Sequence, residues 1–287
     1  MAWKSLHIFY YDNHDFLIRE GIYPAILKNE IERFFFIRYW ENGPHIRLRI
    51  KDLKEESFRN IKQDIYNFVN QNPSKKVIDE SKYIKTALEY GKKEKNFTNN
   101  MGIVANNTVR DWKYEPEFEK YHGIDGVAIA EKEFVYSSKL SMLVLSSRPS
   151  NSEKYLFGAV FSLMILKDVL KNNYEISNFL SGYIQYWRKF SGINDQSFFK
   201  IEKQVAEYSI SKETFQIIKN FYDNHKLHLF HQVVFDDLKN IKDNPFKSFC
   251  YNFVHLFNNR LGMSPAEEII ISYMGKKLLG EIKYEEL

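Results

Sequence analysis

The first part of the chain alternates runs of β-forming residues with segments of helical spacing. Residues 3–11, 33–40 and 45–51 are rich in aromatic and β-branched side chains, so three strands are predicted there. The link 41–44 (ENGP) contains two strong chain breakers, and a link this short predicts an antiparallel hairpin. Apolar residues at helical spacing predict two helices, over 15–30 and 57–70.

The pattern becomes less regular over 71–126, where polar clusters flank a β-like run at 102–109. Beyond this region the spacing is helical, and helices are predicted over 127–146, 153–171, 176–190, 195–225, 229–261 and 264–279, the fifth interrupted at Pro245. Ser264, Pro265 and Glu267 stand in the order of an N-cap, a first helical residue and a capping-box acid.

Strands early in the chain and helices late predict an α+β fold. We expect an N-terminal antiparallel sheet with flanking helices, followed by a mostly helical C-terminal half. No Pro/Ser-rich linker marks a boundary, so a single domain over 1–287 is predicted, with an α/β part at 1–125 and a helical part at 126–287.

The third predicted strand, HIRLRIK, combines an aliphatic face with a cationic one. Side chains alternate between the two faces of a strand, so His45, Arg47 and Arg49 share one face and the aliphatic residues between them share the other. Arg38, on the neighbouring strand, is expected to add a third guanidinium. Such a row suits a carboxylate or a phosphate, because guanidinium binds planar oxyanions in a bidentate manner. The alternative is a solvated sheet face with surface salt bridges.

Two later segments carry further candidates. Residues 114–123 (YEPEFEKYHG) place Lys120 among acids and tyrosines, although a polar connecting loop would have the same composition. Residues 253–262 (FVHLFNNRLG) place His255 and Asn259 four apart on one helix face, with Arg260 on an adjoining face. An imidazole titrates near neutral pH and is therefore suited to proton transfer, but a helical histidine is also common in purely structural roles.

Composition narrows the class of protein. The 287 residues are 44% hydrophobic, which indicates a globular chain, and a net charge of +4 is too small to indicate a nucleic-acid surface. The single cysteine, Cys250, cannot form an internal disulfide, and no apolar stretch is long enough for a bilayer, so a cytoplasmic protein without membrane contact is expected. His225, His228 and His231 lack acidic or thiol partners at ligand spacing, so no metal site is predicted.

Three segments together resemble a known family: FFIRYWENGPHIRLRI, YEPEFEKYHG with the following AEKEFVYSS, and FVHLFNNRLG. They are similar to the small C-terminal elimination domain of class I lanthipeptide dehydratases, which thiopeptide pathways also contain as a free-standing protein. The resemblance follows the same order along the chain from about Trp3 to Ile282. It implies a role in the maturation of ribosomally made peptides, in which a partner first esterifies Ser or Thr of a precursor peptide with glutamate from glutamyl-tRNA.

The resemblance also implies a reaction and the residues that perform it. The domain would remove the Cα proton and expel glutamate, leaving dehydroalanine or dehydrobutyrine, with no metal or organic cofactor. The family's essential arginines match Arg47 and Arg49, and its essential histidine matches His255. We expect these three side chains to surround one pocket, with substrate-binding residues expected at Arg38, His45, Lys120, Asn259 and Arg260.

Two departures from the family pattern keep other functions open. The family often has arginine at the position of Lys120, and lysine lacks the planar fork; it also often has an acidic residue where this chain has Ser137. One alternative is a thiopeptide pyridine synthase, which joins two dehydroalanines by a formal aza-[4+2] cycloaddition and releases the leader peptide. Another is a non-catalytic subunit that docks the precursor peptide. The implied partners are the precursor peptide and a glutamylating subunit, and homodimer formation is left open.

Overall fold

The computed structural model describes residues 3–93, 102–241 and 245–281. The chain divides into two compact units, Met1–Glu115 and Pro116–Leu287. Strands lie in the first unit and the second is helical, so the predicted α+β class is confirmed. The single domain over 1–287, with parts at 1–125 and 126–287, stays a prediction.

The N-terminal unit contains an antiparallel four-stranded sheet of order β2-β3-β1-β4. Its strands are β1 (Trp3–Phe9), β2 (Phe34–Tyr39), β3 (His45–Lys51) and β4 (Thr108–Trp112). Strands β2 and β3 form the predicted hairpin, with Tyr39 opposite His45. Gly43 in the connecting turn has φ of 111°, a conformation that favours glycine.

One face of this sheet is aliphatic and fully buried. It carries Ile46, Leu48 and Ile50 of β3 beside Leu6 and Ile8 of β1, and none of these side chains is exposed. The apolar sides of the flanking helices are buried as well, which gives the unit its core. The predicted alternation along β3 is therefore confirmed for its inward side.

The helices of the N-terminal unit agree with the prediction in two regions and differ in a third. The segment predicted at 15–30 is α1 (His14–Phe16), a π-helical stretch (Leu17–Ile22) and α2 (Tyr23–Lys28), and the next helix is α3 (Glu55–Gln71). Helix α4 (Glu80–Gly91), capped by the Asp79 side chain, lies in the region predicted to be irregular. The β-like run at 102–109 becomes strand only from Thr108, because Asn107 before it has φ of 60°. Most of the polar cluster at 92–100 lies outside the described residues.

The C-terminal unit consists of helices α5 to α12 among its described residues. Their bounds are α5 (Ile124–Ser146), α6 (Asn151–Val169), α7 (Asn173–Ser191), α8 (Asp195–Glu207), α9 (Lys212–Asn224), α10 (Leu227–Leu238), α11 (Phe246–Leu261) and α12 (Pro265–Glu281). Each predicted helical segment is present, and two of them are divided. The fifth is interrupted before Pro245, as predicted, and the fourth ends at Glu207 and resumes at Lys212.

The ends of the last two helices are fixed by local chemistry. Helix α11 ends at Leu261 and is followed by Gly262, which adopts φ of 87°. Ser264 and Glu267 then exchange hydrogen bonds, the Ser264 N–H to Glu267 Oε2 at 2.8 Å and the Glu267 N–H to Ser264 Oγ at 3.4 Å. This confirms the predicted capping box. Helix α12 packs on α6 and α7, and α11 packs on α5 and α6. Within the described residues, no helix combines the length and the apolar character needed to cross a membrane.

Candidate functional site

The second face of the N-terminal sheet carries the candidate cations among aromatic rings. Strand register places Arg47 opposite His7 and Arg49 opposite Ser5, and side chains that face each other across an antiparallel pair lie on the same side. Arg47 and Arg49 therefore share a face with His7, and His45 lies on it too. The predicted placement of these three β3 residues is confirmed.

Arg47 is held by three neighbours. Its Nε donates a hydrogen bond to His45 Nε2 at 3.1 Å, and its Nη2 donates to Glu41 Oε2 at 3.0 Å. The guanidinium carbon lies 3.4 Å from the centre of the Tyr39 ring. The hairpin turn thus supplies an acid, and strands β2 and β3 supply one ring each, so the direction of the guanidinium is fixed before any ligand binds.

Arg49 is more deeply enclosed than Arg47. Only 7% of the residue is exposed. Its guanidinium carbon lies 5.0 Å from the centre of the Tyr114 ring and 5.3 Å from that of Phe35. A guanidinium between aromatic faces keeps its charge while losing much of its hydration, and an oxyanion bound beside it would be held more strongly than at an open surface.

The two histidines of this face are neutral. His45 donates from Nδ1 to the Gly43 carbonyl oxygen at 2.8 Å, which leaves Nε2 to accept from Arg47. The His7 ring stacks on Trp112 at 4.7 Å and on His45 at 4.8 Å. Burial, followed by His45 and then the neighbouring arginines, lowers the pKa of His7 to about 2. Burial and then Arg47 lower the pKa of His45 to about 3.

His7 was not among the sequence-predicted site residues, although a signal existed. It stands between the buried Leu6 and Ile8 of β1, so period-two alternation assigns it to the non-aliphatic face. His45 supports Arg47 through a hydrogen bond. Its role as a direct substrate-binding residue stays a prediction.

The expectation that Arg38 adds a third guanidinium to this face is wrong. Arg38 pairs with Ile46 and therefore lies on the aliphatic side of the sheet. There its Nη2 donates to Asp15 Oδ1 at 2.5 Å, so the guanidinium has a carboxylate partner that compensates its charge. The physical reason is the register of the hairpin, which pairs odd-numbered residues with odd-numbered ones and even-numbered with even-numbered. Arg38 therefore shares a face with Ile46 and not with Arg47.

In the helical unit, His255 of α11 is held by a buried carboxylate. Its Nδ1 lies 2.8 Å from Oε1 of Glu268 on α12. The His255 side chain is 33% exposed, whereas that of Glu268 is 1% exposed. A ring with one nitrogen bound inside the fold and one edge toward the surface has the geometry of a proton-transfer group oriented by an acid.

Glu268 itself is fixed by two further donors. The Tyr183 hydroxyl donates to Glu268 Oε2 at 2.8 Å, and Asn258 Nδ2 donates to the same oxygen at 2.7 Å. Trp187 lies against the His255 ring, with centres 4.7 Å apart and planes inclined by 34°. Glu268 was missed at the sequence level, because its partner is thirteen residues away across a helix–helix turn.

Gly158 lies where three helices meet beneath this network. A Cβ atom there would come 2.6 Å from Asn258 Oδ1 of α11 and 3.1 Å from Ile271 Cδ1 of α12. Glycine on α6 therefore leaves room for the Asn258 and Ile271 side chains of the two helices that carry the His255 network.

The neighbours predicted beside His255 differ in placement. Asn259 lies four residues after His255 on α11 and is half-buried, as expected for the same helix face. Arg260 is fully buried, with its Nη1 donating to Ser137 Oγ at 2.7 Å and Glu133 close by. Burial raises the pKa of Glu133 to about 7 against the opposing effect of Arg260. The structure corrects the expectation of a substrate contact for Arg260, because its guanidinium is enclosed by α5.

Lys120 precedes α5 in a surface segment. Its Nζ lies 3.3 Å from Glu117 Oε2 and 5.5 Å from the centre of the Tyr121 ring. Its ammonium is partly exposed, and its predicted role in substrate binding stays a prediction. The same holds for the grouping of Arg47 and Arg49 with His255, since strand and helix belong to different units.

His228 and His231 of α10 lie beside an acidic residue that sequence spacing did not indicate. Asp168, buried at the end of α6, has an oxygen 2.6 Å from His228 Nδ1 and another 4.0 Å from His231 Nδ1. His231 is buried, and burial lowers its pKa to about 3. Among the residues described, His, Cys, Asp and Glu side chains form no group of three or more able to hold a metal ion.

Comparison with known proteins identifies the family. The chain is similar in structure to a pyridine synthase, TbtD, from thiomuracin biosynthesis (TM-score 0.69, 16% identity, all of both chains covered). It is similar to the tRNA-dependent lantibiotic dehydratase MibB from Microbispora sp. 107891 (TM-score 0.60, 13% identity), where 98% of this chain covers 28% of that one. TsrL gives a TM-score of 0.53 at 12% identity, with 100% and 96% covered.

At these identities the structural similarities establish the fold alone. A search of curated proteins found no match. The sequence pattern described as lantibiotic biosynthesis dehydratase C-term matches residues 3–279, which is nearly the whole chain, and supports a role in the maturation of ribosomally made peptides. The chain therefore belongs to the lantibiotic dehydratase C-terminal family.

Proposed function

We propose that this protein eliminates glutamate from glutamylated Ser or Thr residues of a ribosomally made precursor peptide. The observation that carries the proposal is the His255–Glu268 pair, a partly exposed imidazole oriented by a buried carboxylate at 2.8 Å. A β-elimination begins with removal of a weakly acidic Cα proton. An oriented imidazole is a suitable base for that step.

The elimination balances without an added reagent. His255 takes the proton from Cα, the electron pair of that C–H bond becomes the Cα=Cβ double bond, and the Cβ–O bond breaks with its pair on the departing glutamate carboxylate. The products are dehydroalanine from Ser or dehydrobutyrine from Thr, free glutamate and a protonated imidazole, which returns its proton to solvent. Glu268 stabilises the imidazolium while it exists.

Arg47 and Arg49 have the chemistry required by the anionic part of the substrate. Their guanidiniums are fixed against aromatic rings on one face of the sheet. Glutamate carries carboxylates, and an enolate-like transition state develops negative charge on oxygen; both are stabilised by pre-oriented guanidinium donors. Asn259 and Lys120 are proposed to contact the peptide around the reacting residue. A separate glutamylating subunit would supply the esterified peptide.

A second candidate is formation of a pyridine ring from two dehydroalanines. The observation in its favour is the TM-score of 0.69 to the pyridine synthase TbtD, with both chains covered over their whole length. Cycloaddition does not release glutamate and does not require cations for a departing carboxylate. The fixed arginines of β3 therefore favour elimination.

Mass spectrometry of a glutamylated precursor peptide tests the proposal. Wild-type protein should convert the ester to a dehydroamino acid with release of free glutamate. Arg49→Ala should slow release by ~10²- to 10³-fold, the usual effect of losing one transition-state donor. Arg33→Ala is the matched control, because Arg33 is an exposed arginine of the same unit that pairs with Asp52.

The outcome distinguishes the candidates. Conversion of a bis-dehydroalanine peptide with no effect on the glutamyl ester would establish the cyclase instead. Binding of the precursor without conversion of either peptide would indicate a non-catalytic subunit that docks the precursor peptide. Wild-type turnover in Arg49→Ala would remove that arginine from the site.

A further inference from the structure

We propose that Glu268 is the positioning residue that fixes the tautomer of His255, holding the proton on Nδ1 so that Nε2 presents its lone pair as the base. This inference rests on the proposed elimination and deepens it. Glu268 stands thirteen positions after His255. Its side chain is buried, so the role inferred for it is to act through the histidine and not on the substrate.

The two oxygens of Glu268 have separate partners. Oε2 accepts from the Tyr183 hydroxyl at 2.8 Å and from Asn258 Nδ2 at 2.7 Å, whereas Oε1 lies 2.8 Å from His255 Nδ1. With Oε2 already occupied by two donors, Oε1 is the oxygen left for the imidazole. An ionised carboxylate only accepts, so the ring nitrogen facing it must carry a hydrogen.

The direction of these hydrogen bonds is fixed by the donors. The pKa of Tyr183 is raised well above 10, first by burial and then by the Glu268 charge, so its hydroxyl keeps its proton. Rotating the Asn258 amide would turn its carbonyl oxygen toward the carboxylate, which is repulsive, so Nδ2 must face Glu268. Trp187 lies against the ring. The arrangement specifies one tautomer of His255.

This geometry predicts an unusual result for an isosteric change. In Glu268→Gln, the amide oxygen replaces Oε2 and continues to accept from Tyr183 and Asn258. The amide nitrogen then replaces Oε1 and donates toward His255 Nδ1, which requires the neutral ring to carry its hydrogen on Nε2. The packing is conserved, but the lone pair that would accept the Cα proton is lost.

Nitrogen NMR of histidine-labelled protein reads the tautomer directly, independently of activity. In mildly alkaline buffer, wild type should show His255 with hydrogen on Nδ1, and Glu268→Gln should show it on Nε2. His255→Gln assigns the signals by their disappearance. Glu267→Gln is the matched control: it makes the same chemical change one residue earlier, in the cap of α12, and should leave the His255 tautomer unchanged.

Glutamate release supplies the second readout. Glu268→Gln should slow it by ~10²- to 10⁴-fold, the range expected when a general base is lost or presented in the wrong tautomer. A wild-type ring with hydrogen on Nε2 overturns the inference without need of any variant, even if Glu268→Gln fails to fold. An unchanged tautomer in folded Glu268→Gln also overturns it. A switched tautomer with unchanged glutamate release supports the positioning role and refutes His255 as the base of the proposed function.

Discussion

His45 in the N-terminal sheet and His255 in the helical unit each have Nδ1 bound to an oxygen of the protein, but the charge around them differs. His45 donates to a backbone carbonyl and accepts from Arg47. His255 faces the carboxylate of Glu268. The first ring is surrounded by positive charge and stays neutral, whereas the second lies beside a carboxylate. Residue type alone therefore does not separate a supporting histidine from one that can accept a proton.

Replacing each histidine in turn gives the largest expected effect. His255→Gln should slow glutamate release by ~10²- to 10⁴-fold, because it removes the proposed base. His45→Gln should slow it by ~10-fold or less, because it removes only one hydrogen bond to Arg47. Single-turnover assays on a glutamylated peptide measure both. Equal losses of glutamate release in the two variants would contradict the assignment of His255 as the base and of His45 as a residue that supports Arg47.

Lowering the pH should destabilise the N-terminal sheet, because His7 and His45 stay neutral in the folded chain. The pKa values of His7 and His45 are lowered in the fold to about 2 and about 3 from 6.5, so the unfolded chain takes up protons that the folded chain does not. Their contribution to the free energy of unfolding is fully present above pH 6.5. It is lost as the pH falls toward 3, by up to ~1.4 kcal/mol per pH unit for each ring. Hydrogen-exchange protection of β1 and β3 amides measures this.

The same experiment has an internal control. His7→Gln should reduce the slope of protection against pH in the sheet, because one of the two rings no longer titrates on unfolding. His228→Gln, a change at a partly exposed histidine in the other unit, should leave that slope unchanged. A sheet whose protection is equally pH-dependent with and without His7 would refute the linkage.

Removing one anchor of Glu268 should have a smaller effect. Tyr183→Phe keeps the buried ring and deletes one of the two donors to Glu268 Oε2, so Asn258 still orients the carboxylate. A loss of ~0.5–1.5 kcal/mol in unfolding free energy is expected, with glutamate release reduced by less than ~10-fold. Chemical denaturation and the peptide assay measure the two. A loss as large as that of Glu268→Gln would show that Tyr183, rather than the carboxylate, controls the histidine.

The smallest expected effect concerns the departure from the family pattern. Lys120 pairs with Glu117 at a partly exposed position, and Lys120→Arg would restore the planar fork common in the family. A change of about 3-fold or less in peptide KM is expected, since exposed ion pairs contribute ~0.2–1 kcal/mol. Lys113→Arg, at an exposed lysine paired with Glu115, is the control. A tenfold gain specific to Lys120→Arg would place position 120 in the site.

Period-two alternation made the β3 face predictable from sequence, since it follows from strand geometry alone. The face of Arg38 was mispredicted because it depends on the hairpin register, which is set by the number of residues in the turn. Arg260 follows Phe253 and Phe257 on the buried stripe of α11, so its spacing did indicate burial even though its charge suggested a surface. Glu268 could not be found in this way, because the approach of α12 to α11 depends on tertiary packing.

Gly158 shows that sensitivity to mutation need not coincide with chemical function. It has no side chain, yet a Cβ atom there would lie 2.6 Å from Asn258 Oδ1 of α11 and 3.1 Å from Ile271 Cδ1 of α12. A methyl group there would meet the Asn258 amide, whose nitrogen donates to Glu268, and would crowd the Ile271 side chain. A survey of inactivating mutations should therefore find this interior position as intolerant as the residues that handle protons.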